Sequence, residues 1–144
     1  MPRASDILAA KGSQVHSIDA EATVLDATMK MNQHKIGALI VMARGKMVGI
    51  FSERDVLCRV VGEQRLPHAT LVAEVMSGHP ICADPDMELD DIGELMRSKK
   101  IRHLPVCEGT KILGMISIGD VNAYHATHRE QEIHFLNEYI YGRA

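Results

Sequence analysis

The chain has 144 residues, 46% of them apolar, and a net charge of −3 at neutral pH from 16 basic and 19 acidic side chains. That length and apolar content suffice to bury a core without metals or disulfides, and they exclude an intrinsically disordered chain. Scattered basic residues, with only three tyrosines and two phenylalanines, supply neither the positive field nor the stacking platforms of a nucleic-acid binder.

The longest apolar stretch, IGALIVM at 36–42, is far short of the roughly 20 residues that cross a bilayer. The opening MPRASD carries no apolar signal region. A soluble, cytoplasmic protein without a membrane partner is expected.

In chain order, the first expected element is an extended entry from Val15 to Ile18, running into the acidic turn DAEAT at 19–23. Val24, Ala27, Thr28 and Met31 then recur at i, i+3, i+4 and i+7, the pattern of a helix with one apolar face. Thr23 and Asp26 form a capping pair at its start. Two runs rich in branched residues follow, IGALIVM and KMVGIF, broken by ARG at 43–45; they read as a hairpin. A second helix is expected from about Glu53 to Val61. A connector, Val61 to Met76, contains Gly62 and Pro67 as helix stops.

The same order then returns. Pro80 to Ala83 is extended, DPDME at 84–88 turns, and Leu89, Ile92, Gly93 and Met96 repeat the helical spacing. IRHLPV and KILGMI, separated by EGT at 108–110, make a second hairpin, and a helix runs from about Gly119 to Thr127. A shift of 65 residues aligns 15–56 with 80–121 without a gap, and twelve of the 42 pairs are identical. Chance gives about two or three, so the chain is an internal duplication. Each copy reads strand, helix, strand, strand, helix. A unit of about 45 residues buries too little alone, so the two βαββα units are expected to pack through their sheets about a pseudo-two-fold axis, in the α/β (α+β) class. Clefts along such a seam are natural small-molecule sites. The tail from Arg129 places Ile133, Leu136 and Ile140 at helical spacing, with Tyr139 and Tyr141 beside them. It reads either as a helix laid back on the core or as a dimer contact.

The most telling duplicated stretch is GIFSERD at 49–55 against GMISIGD at 114–120. Ser52 with Asp55, and Ser117 with Asp120, have the spacing of a helix cap. The same arrangement suits a ligand: helix-start N–H groups and a serine hydroxyl for phosphate, and a carboxylate for the adjacent hydroxyls of a ribose. Gly49 and Gly114, inside strand patterns, mark close backbone approach or bulges. Cys58, Cys82 and Cys107 lack a CxxC pair and read as free, buried thiols of a reducing compartment. His125, His128 and His134 lack a completed ligand set, so no metal site is expected.

These stretches resemble the cystathionine-β-synthase (CBS) motif. The pair resembles a stand-alone tandem CBS, or Bateman, module of the bacterial type over about residues 5–127. KIGALIV and KIRHLPV match the family's second strand, and the two Gly-to-Asp stretches match its third strand and helix start. The resemblance implies a first motif over 5–62, a connector over 63–74, a second motif over 75–127 and a helical tail over 128–144. It also implies a regulatory module rather than an enzyme, with no catalytic residues. Its ligand would contain adenosine: AMP first, with ATP, ADP, NAD or S-adenosylmethionine as alternatives.

Carried over by position, one cleft uses Arg102, Met115, Ser117 and Asp120 with Gln14, His16, Ile36 and Gly37. The other uses Gly37, Ile50, Ser52, Arg54 and Asp55 with His79, Ile81 and Ile101. Phosphate is expected to be held more strongly in the first, where Arg102 and its neighbour His103 are cationic candidates and the matching position is Gly37. The family's homodimers, paired through the second helices, are expected here, along with a regulated protein partner of unknown identity. The rival reading is a dimeric adaptor with the same fold that binds no nucleotide. A weaker third option is a redox or metal switch built on the cysteines and histidines.

Overall fold

The computed structural model describes residues 2–141. The chain opens with a helix that the sequence pattern does not single out, α1 (Ala4–Lys11), followed by β1 (Ser17–Asp19), α2 (Val24–His34) and the hairpin β2 (Ala38–Ala43) and β3 (Lys46–Ser52). Next come α3 (Glu53–Asp55), which widens into π-helical turns over Val56–Val61, a 3-10 turn (Pro67–Ala69), α4 (Val72–Val75) and β4 (Ser77–Gly78). The second half contains α5 (Leu89–Lys99), the hairpin β5 (His103–Glu108) and β6 (Lys111–Ser117), and α6 (Ile118–Tyr141).

Local chemistry fixes the element ends. The Thr23 hydroxyl accepts the Asp26 N–H at 3.1 Å and starts α2. Both α2 and α5 stop at a lysine in the left-handed region, Lys35 at φ 54° and Lys100 at φ 55°. The N–H of the following isoleucine bonds back to the helix, Ile36 to the Met31 carbonyl and Ile101 to that of Met96. The duplicated Lys-Ile pair is therefore a stop signal. In the hairpins, Arg44 and Gly45 both have positive φ, whereas only Gly109 does in the second, as tight two-residue connections require.

β1 runs parallel to β2, and β2, β3 and β4 pair antiparallel in one four-stranded sheet. The second sheet has only β5 and β6 as full strands; the expected entry at 80–83 survives as a single parallel bridge between Ala83 and Val106. Each hairpin has an irregular register beside its glycine, at Val41/Met42 opposite Gly49 and at Val106/Cys107 opposite Gly114. Close approach applies as well as bulging. A Cβ on Gly49 would lie 2.6 Å from the Ser77 carbonyl oxygen, and one on Gly114 would lie 2.7 Å from a Leu8 methyl.

There are two apolar cores, and each takes its leading helix from the other half. The first motif buries Val24, Ala27, Met31, Leu39, Val41 and Phe51 together with Val72 and Val75 of α4. The second buries Leu89, Ile92, Met96, Leu104, Val106 and Ile116 together with Ala4, Ile7 and Leu8 of α1. The backbone repeats this exchange: the first N–H groups of α1 bond to the carbonyls of Pro85 and Met87, and those of α4 bond to Ala20 and Ala22. The first two N–H groups of each helix are thus satisfied across motifs. Alternating with Leu39 and Val41, which enter the first core, Ala38 and Ile40 face the opposite side of the sheet and are also buried, as is Pro105, the repeat counterpart of Ile40, on β5. There the two sheets meet about the pseudo-two-fold axis.

Three expectations change. The tail continues α6 outward instead of lying on the core: Ile133 is 53% exposed, Leu136 47% and Ile140 66%. Its last residues, 142–144, fall outside those described, as does the Tyr141 side chain. The cysteines are not buried: Cys58 and Cys82 are exposed and Cys107 is partly so, because Cys82 precedes the lone bridge of its sheet edge and Cys107 follows the bulge. Arg102, expected at a cleft wall, is exposed.

Candidate functional site

The start of α6 is built as the sequence suggests. Ser117 closes β6, its hydroxyl accepts the Asp120 N–H at 3.2 Å, and the Asp120 carboxylate accepts the Ser117 N–H at 2.8 Å. The copy at α3 is the same, with Asp55 accepting the Ser52 N–H at 2.9 Å. Both pairs are caps; what differs is the remaining environment of each carboxylate.

Asp120 lines a cleft of about 350 Å³ at the seam. From the first motif come Gln14, His16, Ile36 and Gly37, and from the second Met115, Ser117 and Asp120. These seven of the eight residues expected at the first cleft share one cavity. The eighth, Arg102, is not in the wall; its place is taken by His103, which turns inward one residue further along β5. Strand alternation explains the swap, since neighbouring side chains face opposite sides.

Sequence reasoning misses Val15, Lys35 and Ala38 of the wall and, most consequentially, Lys11. Its ammonium lies 2.6 Å from Asp120 Oδ2 and donates to the Met115 carbonyl at 2.9 Å. Its repeat counterpart is Met76, so no duplicated pattern marks it. It reaches the site only because α1 crosses to the second motif. Lys35, the left-handed residue ending α2, adds a second amine to the rim.

The electrostatics follow from these contacts. Burial alone would push the Asp120 carboxyl up, but the Lys11 hydrogen bond, the Ser117 N–H and the Lys11 charge outweigh it and hold the group below the usual carboxylate range. His103 is held below the usual imidazole range, chiefly by burial and also by the charges of Lys11 and Arg102, against the opposite pull of Glu53 and Asp120. His16 is lowered by burial and by His34 and Lys30; its ring lies 4.2 Å from that of His34. Among the described residues, the donors to Asp120 converge on Oδ2. Oδ1 is left as an acceptor on a cleft wall.

The residues expected at the other cleft are arranged differently. Asp55 is only 8% exposed. Its Oδ2 takes both Ser52 donors and its Oδ1 faces the Arg59 guanidinium at 3.6 Å. The Glu53 carboxylate crowds Gly37, 3.2 Å from where a Cβ would stand. Ile50 is half-buried in β3, while Arg54 and His79 are exposed and Ile81 is 37% exposed. Ile101 packs on the second core and lines a different groove, about 450 Å³ between α5 and α6, with Gly93, Arg97, Asn122 and His125. That groove is lined by the second motif only, whereas the seam cleft draws on both, so the seam cleft is the better small-molecule site.

No group of three metal-ligating side chains occurs among the described residues, nor any helix long and apolar enough to cross a membrane.

Comparison with known proteins gives this geometry a context. Residues 4–62 and 72–126 each match the CBS domain family. The chain is 35% identical to the CBS domain-containing protein CBSX3, mitochondrial, of Arabidopsis thaliana, over 96% of this chain and 71% of that protein. The CBS-domain containing protein ATU1752 of Agrobacterium tumefaciens superposes with a TM-score of 0.81 at 30% identity, covering 86% of this chain and 99% of that one. The CBS domain protein PAE2072 of Pyrobaculum aerophilum, solved in complex with AMP, shares the fold at 24% identity, with a TM-score of 0.74 over 83% of this chain and 89% of that one. With two matched copies, exchanged leading helices and a seam between two sheets, this chain belongs to the CBS-domain family as a tandem pair, a regulatory module.

Proposed function

We propose that this module senses an adenine nucleotide, bound at the Asp120 cleft, and passes the signal to a separate protein. The observation that carries the reading is the convergence on one cavity of Ser117, Asp120 and the α6 start from one motif with Gln14, His16 and Gly37 from the other. Asp120 Oδ1 accepts the ribose hydroxyls, and Ser117 with the first N–H groups of α6 receives phosphate. Ile36, Ala38 and Met115 give the purine an apolar wall. A ligand held by both motifs favours one arrangement of the pair over others, and that preference is the signal. Isothermal titration with AMP, ADP, ATP and NAD tests this; AMP is the first choice because the Pyrobaculum protein carries it on the same fold. No heat and no protection from melting with any of the four would overturn it.

Lys11 has a defined part in this reading. An ammonium has three donors, and two are used on Asp120 and Met115. The third is available to a ligand phosphate. A charge-assisted hydrogen bond contributes about 1.5–3 kcal/mol, so Lys11→Met is expected to weaken AMP binding by roughly tenfold or more. Equal or tighter binding would mean that Lys11 plugs the cleft. The Lys11 to Asp120 contact is also what favours the rival reading, an adaptor whose cleft is filled by its own side chain. Absorbance near 260 nm separates the two on freshly purified protein, because a chain without tryptophan shows retained adenine clearly.

The module is further proposed to act as a homodimer through its second helices. Leu57 and Val61, on the turns that continue α3, are 65% and 60% exposed, an apolar surface of the kind that marks an interface. Light scattering at micromolar concentration is expected to give twice the chain mass; a monomer would remove the dimer from the proposal.

A further inference from the structure

Cys82 and Cys107 are 25 positions apart in sequence, yet their sulfurs are 3.3 Å apart, with the Cys107 thiol donating to Cys82. Their neighbourhood is held by the backbone: Ala83 N–H bonds to the Pro105 carbonyl at 2.8 Å, and Cys107 N–H bonds to the Ala83 carbonyl at 2.9 Å. Those rungs fix the two strands in parallel register, with Ala83 opposite Val106. In that register Cys82 and Cys107 point to the same side of the pair. A disulfide needs sulfurs at about 2.05 Å, so side-chain rotation has to close only about 1.3 Å.

We propose that Cys82 and Cys107 form a reversible disulfide, a redox modification site that staples the segment entering the second motif to β5. Solvent access assigns the order of events. Cys82 is exposed and attacks one sulfur of an external disulfide such as oxidised glutathione, expelling one thiolate and leaving a mixed disulfide on Cys82. Cys107 loses its proton to water or buffer and attacks the Cys82 sulfur, expelling the second thiolate. Two protein thiols and one disulfide become one protein disulfide and two small thiols, so atoms and electrons balance. Burial and the neighbouring Cys82 push the Cys107 thiol up to about 12, which makes it the poorer first nucleophile and the natural second one. The lone bridge at Ala83 is the segment's attachment to its sheet. The covalent link would fix His79 and Ile81, just upstream, relative to β5.

The test uses the full chain with oxidised glutathione at neutral pH, followed by intact mass, thiol titration and peptide mapping. The expected product has lost about 2 Da and two of its three thiols, contains a cross-linked pair of peptides holding Cys82 and Cys107, and returns to three thiols with dithiothreitol. Cys58→Ser should react identically. Cys82→Ser and Cys107→Ser should each fail to lose the 2 Da, and Cys107→Ser should instead stop as a glutathione adduct on Cys82. Wild-type chain that retains all its thiols, that stops as a lasting glutathione adduct, or that links through Cys58 into dimers would overturn the proposal.

Discussion

Asp120→Asn is expected to weaken AMP binding by about 30-fold or more, whereas Asp55→Asn changes it by less than about threefold. The two aspartates occupy the same place in their repeats, and both are helix caps. Asp120 keeps one oxygen on the cleft wall and its other on Lys11. Asp55 is buried, with its oxygens spent on Ser52 and facing Arg59. Losing the ribose contacts of an ionised carboxylate removes about 2–3 kcal/mol. Loss of the cap charge and the Lys11 pair costs about 1 kcal/mol of stability, so the Asp120 variant remains folded at assay temperature. Calorimetric titration of both variants, with circular dichroism melts as controls, checks this; equal losses would assign the ligand to both repeats or to neither. The wild-type stoichiometry is expected to be one nucleotide per chain.

Leu8→Ala is expected to cost about 3 kcal/mol, the range found when a buried leucine leaves a cavity, although it lies in a short helix outside the duplicated pattern. Leu8 is 6% exposed and belongs to the second motif's core. Gly114 lies directly beneath it, 2.7 Å from methyl to would-be Cβ. Gly114→Ala alone should therefore destabilise by about 1–2 kcal/mol through overpacking. In the Leu8→Ala background the clash is gone, and adding Gly114→Ala should cost little or recover stability. Urea unfolding of the wild type, both single variants and the double variant measures that coupling. Additive losses would show that α1 does not press on β6.

The same pair of residues marks the boundary of what the sequence alone could tell. The glycine was legible, because it recurs at a fixed offset inside a branched strand, and so were the reasons a strand keeps such a residue. The leucine was not. Its helix lies outside the stretch where the two copies align, its counterpart α4 shares no identity that marks it, and its apolar spacing, Ala4, Ile7 and Leu8, spans barely one turn. Lys11 was hidden for the same reason, while Arg102 was mistaken for a wall residue because a resemblance carries positions but not the direction in which a particular side chain points. The tail stayed open for a related reason: Ile133, Leu136 and Ile140 have helical spacing whether they meet the core, another chain or solvent, and their exposure removes only the first of these.

Duplication, element order, helix caps and the Ser-x-x-Asp pairs were determined by the sequence itself, because each is a local rule of spacing that acts within a few residues or repeats at a constant shift. The tertiary structure alone decided that leading helices are exchanged, that one aspartate lines the seam cleft while its twin is buried against Ser52 and Arg59, and that two distant thiols meet. Those outcomes depend on which surfaces come together across the pseudo-two-fold axis. Packing between halves breaks the equivalence of copies whose local chemistry is nearly the same.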